Sequence, residues 1–230
     1  MATQVKAKPL GALNQQRTET KLIMQILQTI SKIRIDSLGP GMTAYTNAVN
    51  WLNENASFDV YAYAGVLGYP RGTVATWIRI EDYGLFVEEH ASLQADDRYL
   101  AVASSVGSYF VENPNDTLWD ISHVAGELEP SNVIAQISVQ ALPRQLGKAK
   151  LWAIKMADSM NRRDGTITVV ATTDWGTPNT IRWFCHYESL DSLEACEDNL
   201  VGSDHLFTLN GSEELVNSST IQSELTRRII

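Results

Sequence analysis

An internal repeat constrains the fold of this chain more than any other sequence feature. Residues 21–124 and 132–230 carry the same order of strand-like and helix-like segments, although few residues are identical between the two copies. Self-similarity over most of a chain predicts that each copy folds into the same supersecondary unit. We therefore expect two tandem units at 21–125 and 132–230, a linker at 126–131, and a flexible polar arm at 1–20.

The first segment of each copy is a short apolar run rich in β-branched residues, at 21–27 and at 132–138, which is typical of a strand. When the runs are aligned 111 residues apart, Gln25 and Gln136 occupy matching positions between apolar neighbours. A buried glutamine needs partners for its carbonyl and its amide. The pair is therefore expected either to face a substrate pocket or to bond the backbone or each other near a pseudo-two-fold axis.

The later segments repeat as well. Each copy continues with an apolar stripe at helical spacing and with two strands joined by a Gly- and Pro-containing turn. A second helix follows at about 83–94 and at about 190–200, with a further helical stretch starting near Asp97 and near Asp204. A last strand lies at 117–123 and at 221–226. The two stripes consist of Tyr45, Ala48, Val49 and Leu52 in the first copy, and of Ala153, Met156, Ala157 and Met160 in the second.

The order strand–helix–strand–strand–helix–strand is that of the ferredoxin-like unit. The sequence therefore predicts an α+β fold made of two tandem ferredoxin-like βαββαβ repeats.

Charge and cysteine content limit the partners of such a chain. The formal net charge is −9, and no basic run of five residues exists, so we expect no nucleic-acid partner. Only two cysteines, Cys185 and Cys196, occur in 230 residues, which fits a reducing compartment. No signal-like or membrane-spanning apolar stretch is present, so we expect a cytoplasmic protein without a membrane partner.

Two stretches carry a family resemblance: WFCHYESLDSL at residues 183–193, and DDRYL at 96–100 followed by YFV at 109–111. With the repeat, they resemble the dimeric α+β barrel superfamily, which includes NIPSNAP-like and antibiotic-biosynthesis-monooxygenase-like proteins. The resemblance covers roughly residues 21–230. It implies that the two units pack their sheets face to face into one intramolecular, pseudo-dimeric α+β barrel. It also implies a homo-oligomer of the two-repeat chain.

The same resemblance implies a wide range of activities, from cofactor-free oxygenases and isomerases to haem enzymes, so the fold does not select the function. Haem-degrading members use an Asn, a Trp and a His, but Gln25 and Gln136 stand where the Asn is expected. The helical histidines, His90 and His205, lack a recognisable flanking pattern for a haem ligand. We therefore expect no cofactor, while haem stays open.

Polar side chains alternate along the third strand of the second copy. Arg182, His186 and Glu188 share one face of this strand. In a pocket, such a row can shift the histidine pKa and transfer protons, which makes these three residues the catalytic candidates. On an outer face, the same row is a ladder of ion pairs.

Aromatic residues on the predicted strands are the other candidates for substrate binding. Tyr61 and Tyr63 alternate on the second strand of the first copy, where the second copy aligns Thr168 and Val170. The third strands carry Trp77, Trp183 and Tyr187, which line a cavity or simply fill the barrel.

Two functions from different classes follow. One is a small-molecule oxygenase, isomerase or cyclase that acts on an apolar or aromatic substrate inside the barrel. The alternative is a non-catalytic ligand-binding or assembly protein with a packed barrel. The sequence contains no nucleophile-elbow, dinucleotide-binding, P-loop or zinc motif, so it lacks the common signatures of the enzyme classes that use these motifs.

Overall fold

The computed structural model describes residues 24–129, 131–200 and 214–230, without the side chains of 197–200. Eight strands lie in this part of the chain: β1 (Gln25–Lys32), β2 (Val60–Leu67), β3 (Thr73–Ile80), β4 (Asn115–Ala125), β5 (Val133–Ala141), β6 (Ile167–Trp175), β7 (Thr180–Tyr187) and β8 (Val216–Arg228). The described helices are α1 (Leu38–Asn55), α2 (Tyr83–Gln94), α3 (Asp97–Gly107), α4 (Leu146–Asp164) and α5 (Leu190–Leu200).

The strands form one closed barrel in the order β1-β3-β2-β8-β5-β7-β6-β4. The first four strands make the sheet β4-β1-β3-β2, and the last four make the equivalent sheet β8-β5-β7-β6. The antiparallel pairs β2–β8 and β4–β6 join the two sheets. The prediction of two tandem ferredoxin-like repeats that close into an intramolecular α+β barrel is confirmed.

Helices cover the outside of the barrel through the predicted apolar stripes. In α1, Tyr45, Ala48 and Val49 are buried against the first sheet, and α3 packs beside them. The stripe of α4 from Ala153 to Met160 is buried against the second sheet. Among the described residues, no helix is long and apolar enough to cross a membrane.

Local signals explain where several helices begin and end. Asp82 and Asp96 cap α2 and α3, since each carboxylate accepts a hydrogen bond from a backbone N–H of the first turn. The helix α4 ends at Gly165, which has a φ of 75° and therefore adopts the left-handed conformation without strain.

The alignment of the first strands is wrong in the sequence prediction. The structure pairs Gln28 with Trp77 and Gln136 with Phe184, so Gln28, rather than Gln25, is equivalent to Gln136. The strand β1 begins at Gln25, and residues 21–23 lie outside the described residues. The arm at 1–20 and the helical stretch near Asp204 also lie outside them.

Candidate functional site

Two glutamines meet at the centre of the barrel. Gln28 Nε2 donates a hydrogen bond of 3.1 Å to Gln136 Oε1, and both residues are only 1% exposed. Gln28 Oε1 accepts a hydrogen bond of 3.0 Å from the indole Nε1 of Trp119. Since the two residues are equivalent, this contact lies at the pseudo-two-fold axis of the barrel.

Arg182 extends this centre into a charged network. Its Nη1 donates to Gln136 Oε1 at 2.9 Å and to Gln28 Oε1 at 3.4 Å. The guanidinium lies over the Trp119 ring, 4.7 Å from the ring centroid. A planar guanidinium stacks well on an indole, and this geometry fixes the plane in which Arg182 donates.

Glu224 supplies the counter-charge. Its Oε2 lies 3.4 Å from Arg182 Nη1 and accepts a hydrogen bond of 2.8 Å from the Tyr69 hydroxyl. Burial raises the pKa of the Tyr69 phenol, and the neighbouring Glu224 carboxylate raises it further. Tyr69 therefore stays a neutral donor, and the network carries one positive and one negative charge.

A cavity of about 480 Å³ opens beside Arg182 at one end of the barrel. Its walls come from β1, β4, β5, β6, β7, β8 and the turn between β6 and β7. Apart from Arg182, the lining side chains are uncharged, and most of them carry a hydroxyl or an amide. They are Gln28, Ile30, Asn115, Thr117, Trp119, Ser138, Val139, Gln140, Thr173, Thr177, Thr180, Ser219, Thr220 and Gln222.

Several polar atoms in the barrel interior lack a hydrogen-bond partner among the described residues. They include Arg182 Nε and Trp77 Nε1. Gln136 Nε2 also completes no hydrogen bond of normal geometry, although Gln136 is close enough to the Tyr69 phenol to lower that group's pKa. Buried donors are costly to leave unpaired, so these atoms lower the stability of the barrel interior.

Two of the three catalytic candidates, Arg182 and His186, lie on the inner face of β7, whereas Glu188 follows the last residue of this strand. Arg182 and His186 lie four residues apart along the strand, which is roughly 13 Å. Between them, Phe184 packs in an aromatic and aliphatic layer. His186 Nδ1 lies 2.9 Å from Ser131 Oγ, and burial lowers the pKa of His186 to about 4. Glu188 is exposed at the end of the row. Arg182, His186 and Glu188 therefore do not form one cluster in this structure.

The aromatic candidates divide between the two faces of the sheet. Tyr61, Tyr63 and Trp77 belong to the interior cluster. Trp183 and Tyr187 pack instead in the cluster between the second sheet and α4, where Trp183 Nε1 donates to Ala153 O at 3.1 Å. Trp183 and Tyr187 therefore lie outside the barrel interior.

Two further sequence assignments need correction. Gln25 lies on the outer face of β1, where its Nε2 donates to Asp174 Oδ2 at 3.1 Å. Tyr63 pairs with Ala75 on β3, and Ala171 pairs with Arg182 on β7. Since Ala75 and Arg182 are equivalent, the counterpart of Tyr63 is Ala171 rather than Val170.

Sequence reasoning missed Gln28, Trp119, Glu224 and Tyr69. Gln28 and Trp119 alternate with apolar residues on first and last strands, so an alignment based on strand pairing can find them. Glu224 lies in a polar stretch of β8, and Tyr69 lies in a turn. No local pattern predicts that a turn residue reaches the barrel interior.

The cavity does not fit a haem iron or another metal. No imidazole lines it, and the interior His186 is bonded to Ser131 beyond Phe184. His90 stacks on Phe86 within α2, with 5.6 Å between the ring centroids, and His205 lies outside the described residues. In the described part of the chain, no cluster of three or more His, Cys, Asp or Glu side chains could hold a metal ion.

No protein-family model matches this sequence, and no curated protein matches it significantly. Solved structures with a similar fold include a candidate monooxygenase from Fusobacterium nucleatum subsp. nucleatum, with a TM-score of 0.65 and 11% identity over 91% of this chain and 94% of that chain. An anthrone oxidase-like protein has a TM-score of 0.65 and 11% identity over 92% and 93% of the two chains.

A candidate monooxygenase from Lactobacillus acidophilus has a TM-score of 0.64 and 10% identity over 90% of this chain and 94% of that chain. The coverage is nearly complete, so these similarities concern the whole barrel. The chain therefore shares the α+β barrel fold of these proteins, with both ferredoxin-like units in one polypeptide.

Proposed function

We propose that this protein is a small-molecule oxygenase, isomerase or cyclase that acts on an aromatic substrate in the cavity beside Arg182. One observation carries the proposal. A cavity of about 480 Å³ has a buried arginine in its wall, and the Nη2 of this arginine makes only a long hydrogen bond of 3.5 Å, to Ser138 Oγ in the same wall. Cavities of this size with a few convergent polar groups are typical of small-molecule sites.

The chemistry of the walls supports a substrate that carries oxygen atoms. Hydroxyl and amide groups can bind substrate hydroxyl or carbonyl groups, and the Trp119 indole offers an aromatic surface. Arg182 is already held by protein groups, so it is in position before a substrate enters. It can stabilise the negative oxygen of a substrate that enters the cavity as a phenolate or an enolate, having lost its proton to water. Such an anion takes part in cofactor-free oxygenation and in isomerisation.

The names of the similar structures favour an oxygenase over the other two reactions. Two of them are described as candidate monooxygenases and one as anthrone oxidase-like. At 10–11% identity, this similarity supports the fold, whereas the reaction is proposed from the cavity and from Arg182.

A packed, non-catalytic barrel is the second candidate. The observation in its favour is that Arg182 bonds Gln136 and pairs with Glu224, so the network can serve only to hold the barrel together. The cavity argues against it, because a barrel that serves structure alone gains stability from filling such a space.

Oxygen uptake and product analysis with a panel of phenols and hydroxylated aryl ketones test the proposal. Thr177→Trp places a large side chain at the cavity wall. Trp175→Leu is the control, because Trp175 is the last residue of β6, two positions before Thr177, and is 75% exposed. We expect conversion by the wild type and the control, and its loss in Thr177→Trp. Conversion without oxygen uptake would assign an isomerase or cyclase. No conversion and no binding would favour the packed barrel.

A further inference from the structure

The turn between β2 and β3 sends one side chain into the barrel. A Cβ atom at Gly65 would lie 2.8 Å from Tyr69 Cβ and 3.1 Å from its ring, so the Tyr69 ring lies directly on the backbone of β2. Its hydroxyl reaches Glu224 on β8. Tyr69 thus occupies interior space with a phenol ring and donates a hydrogen bond to a carboxylate.

The equivalent turn, between β6 and β7, has no such ring. Counted back from β7, the residue that corresponds to Tyr69 is Gly176; counted forward from β6, it is Thr177. Thr177 lines the cavity. A Cβ atom at Gly176 would lie 3.0 Å from Thr117 Cγ2. Thr117 pairs with Gln28 as Glu224 pairs with Gln136, so it is the counterpart of Glu224. The cavity therefore lies where a second Tyr69 ring would lie.

The barrel interior has two equivalent half-sites, one filled by Tyr69 and one open at the cavity, and their charged groups have opposite signs. The half filled by Tyr69 has the acceptor Glu224, and its counterpart in the open half is Thr117. The open half has the donor Arg182, and its counterpart in the filled half is Ala75. A group that replaces the phenol in the open half therefore meets an N–H donor instead of a carboxylate. Such a site binds an acceptor oxygen rather than a hydroxyl that must donate.

We propose that each chain binds one small aromatic ligand, whose acceptor oxygen bonds Arg182, while Tyr69 permanently fills the equivalent half-site. This inference deepens the proposed function, because it names the ligand class and the number of sites of the same cavity. A single aromatic ring that carries a phenolate, carboxylate or carbonyl oxygen meets the requirements of the open half. Because Tyr69 fills one of the two equivalent half-sites, it restricts ligand binding to the other and is a specificity-determining residue.

The probe for this test is 4-nitrophenol, whose ionised form absorbs visible light. Titration of the wild type is expected to give one site per chain. The bound probe should ionise at a lower pH than the free probe, because Arg182 favours the phenolate. Arg182→Met is expected to weaken binding about tenfold to hundredfold, as for the loss of a charge-assisted hydrogen bond, and to remove the shift in probe ionisation.

Tyr69→Ala and Tyr69→Phe are a matched pair that does not depend on the folding of Arg182→Met. Tyr69→Ala vacates the filled half, and neutral phenol, measured by calorimetry, should bind there by donating to Glu224. Tyr69→Phe keeps the ring in place and should bind one phenol fewer per chain than Tyr69→Ala. Equal phenol stoichiometry in the two folded variants would overturn the inference, as would probe ionisation that is unchanged by Arg182→Met. Binding of these probes is measured without turnover. The binding inference can therefore hold even when the proposed reaction is not observed.

Discussion

The two halves of the barrel interior agree at some positions and differ sharply at others. Gln28 matches Gln136 at the axis, and Trp77 matches Phe184 in the aromatic layer. In contrast, Ala75 matches Arg182, and Tyr69 matches a glycine or a threonine. The matched positions hold the two sheets together, and the unmatched positions place one charge pair and one cavity inside the barrel. The difference teaches that a pseudo-symmetric fold can hold an asymmetric site.

The largest expected effect tests the matched aromatic layer. Phe184 is fully buried and packs edge-to-face against Trp77 and Trp119. Phe184→Ala should lower the free energy of unfolding by about 3–5 kcal/mol, since it removes buried area and leaves a cavity. Chemical denaturation measures this. The control Trp175→Ala, on an exposed ring, should change stability by less than about 0.5 kcal/mol. A small effect of Phe184→Ala would mean that the aromatic layer contributes little to the stability of the barrel.

The next effect tests the unmatched charge pair. Arg182→Met leaves Glu224, whose side chain is only 17% exposed, without its cation and should cost about 3 kcal/mol of unfolding free energy. The double variant Arg182→Met with Glu224→Gln should recover part of this loss in the same denaturation experiment, because no unpaired carboxylate then remains. Arg79→Met breaks the exposed pair with Glu81 and should cost less than about 1 kcal/mol. Equal losses in the single and double variants would contradict the pairing.

A smaller effect depends on pH and tests His186, which lies four residues from Arg182 on β7. Burial lowers the pKa of His186 from 6.5 to about 4, so the folded protein favours the neutral imidazole. As the pH falls through 6.5, the unfolded chain binds the proton first, and stability falls until about pH 4, where the loss levels off. By pH 4 the loss is about 3 kcal/mol. Denaturation midpoints between pH 8 and pH 4 should fall less steeply in His186→Gln. Parallel curves would refute the burial of His186.

The smallest effect concerns the side chain that fills one half of the barrel. Tyr69→Phe removes the hydrogen bond to Glu224 but keeps the ring, and it should cost about 1 kcal/mol. Tyr83→Phe changes a tyrosine that is mostly exposed, so it should leave the denaturation midpoint unchanged. If both variants matched the wild type, the Tyr69 phenol would not contribute to the barrel network.

The order of elements was predictable because apolar periodicity and turn residues are local signals. The alignment of the two first strands was not, and the error has a physical basis. Side chains alternate across a strand, so an odd shift moves every residue to the opposite face. The sequence alignment joined Gln25 to Gln136 instead of Gln28 to Gln136, a shift of three residues. That shift placed Gln25 in the interior, although it lies outside.

The site was predicted only in part, because β7 is buried on both faces. Arg182 was correctly placed on one strand face with His186. Alternation alone could not tell that Trp183 and Tyr187 face α4, since both faces of a strand in such a barrel are apolar. The partners of Arg182 come from distant strands and from a turn. The roles of Glu224 and Tyr69 can therefore be recognised only from the closed barrel and not from the local sequence.

A crystal structure of the protein soaked with 4-nitrophenol tests the central claim, a single open half-site at Arg182, most directly. The account predicts one probe molecule per chain in the cavity, with its phenolate oxygen within hydrogen-bond distance of Arg182 Nη2 and with Tyr69 still bonded to Glu224. A probe bound away from Arg182, two probes per barrel, or a cavity that stays free of probe at saturating concentration would contradict it.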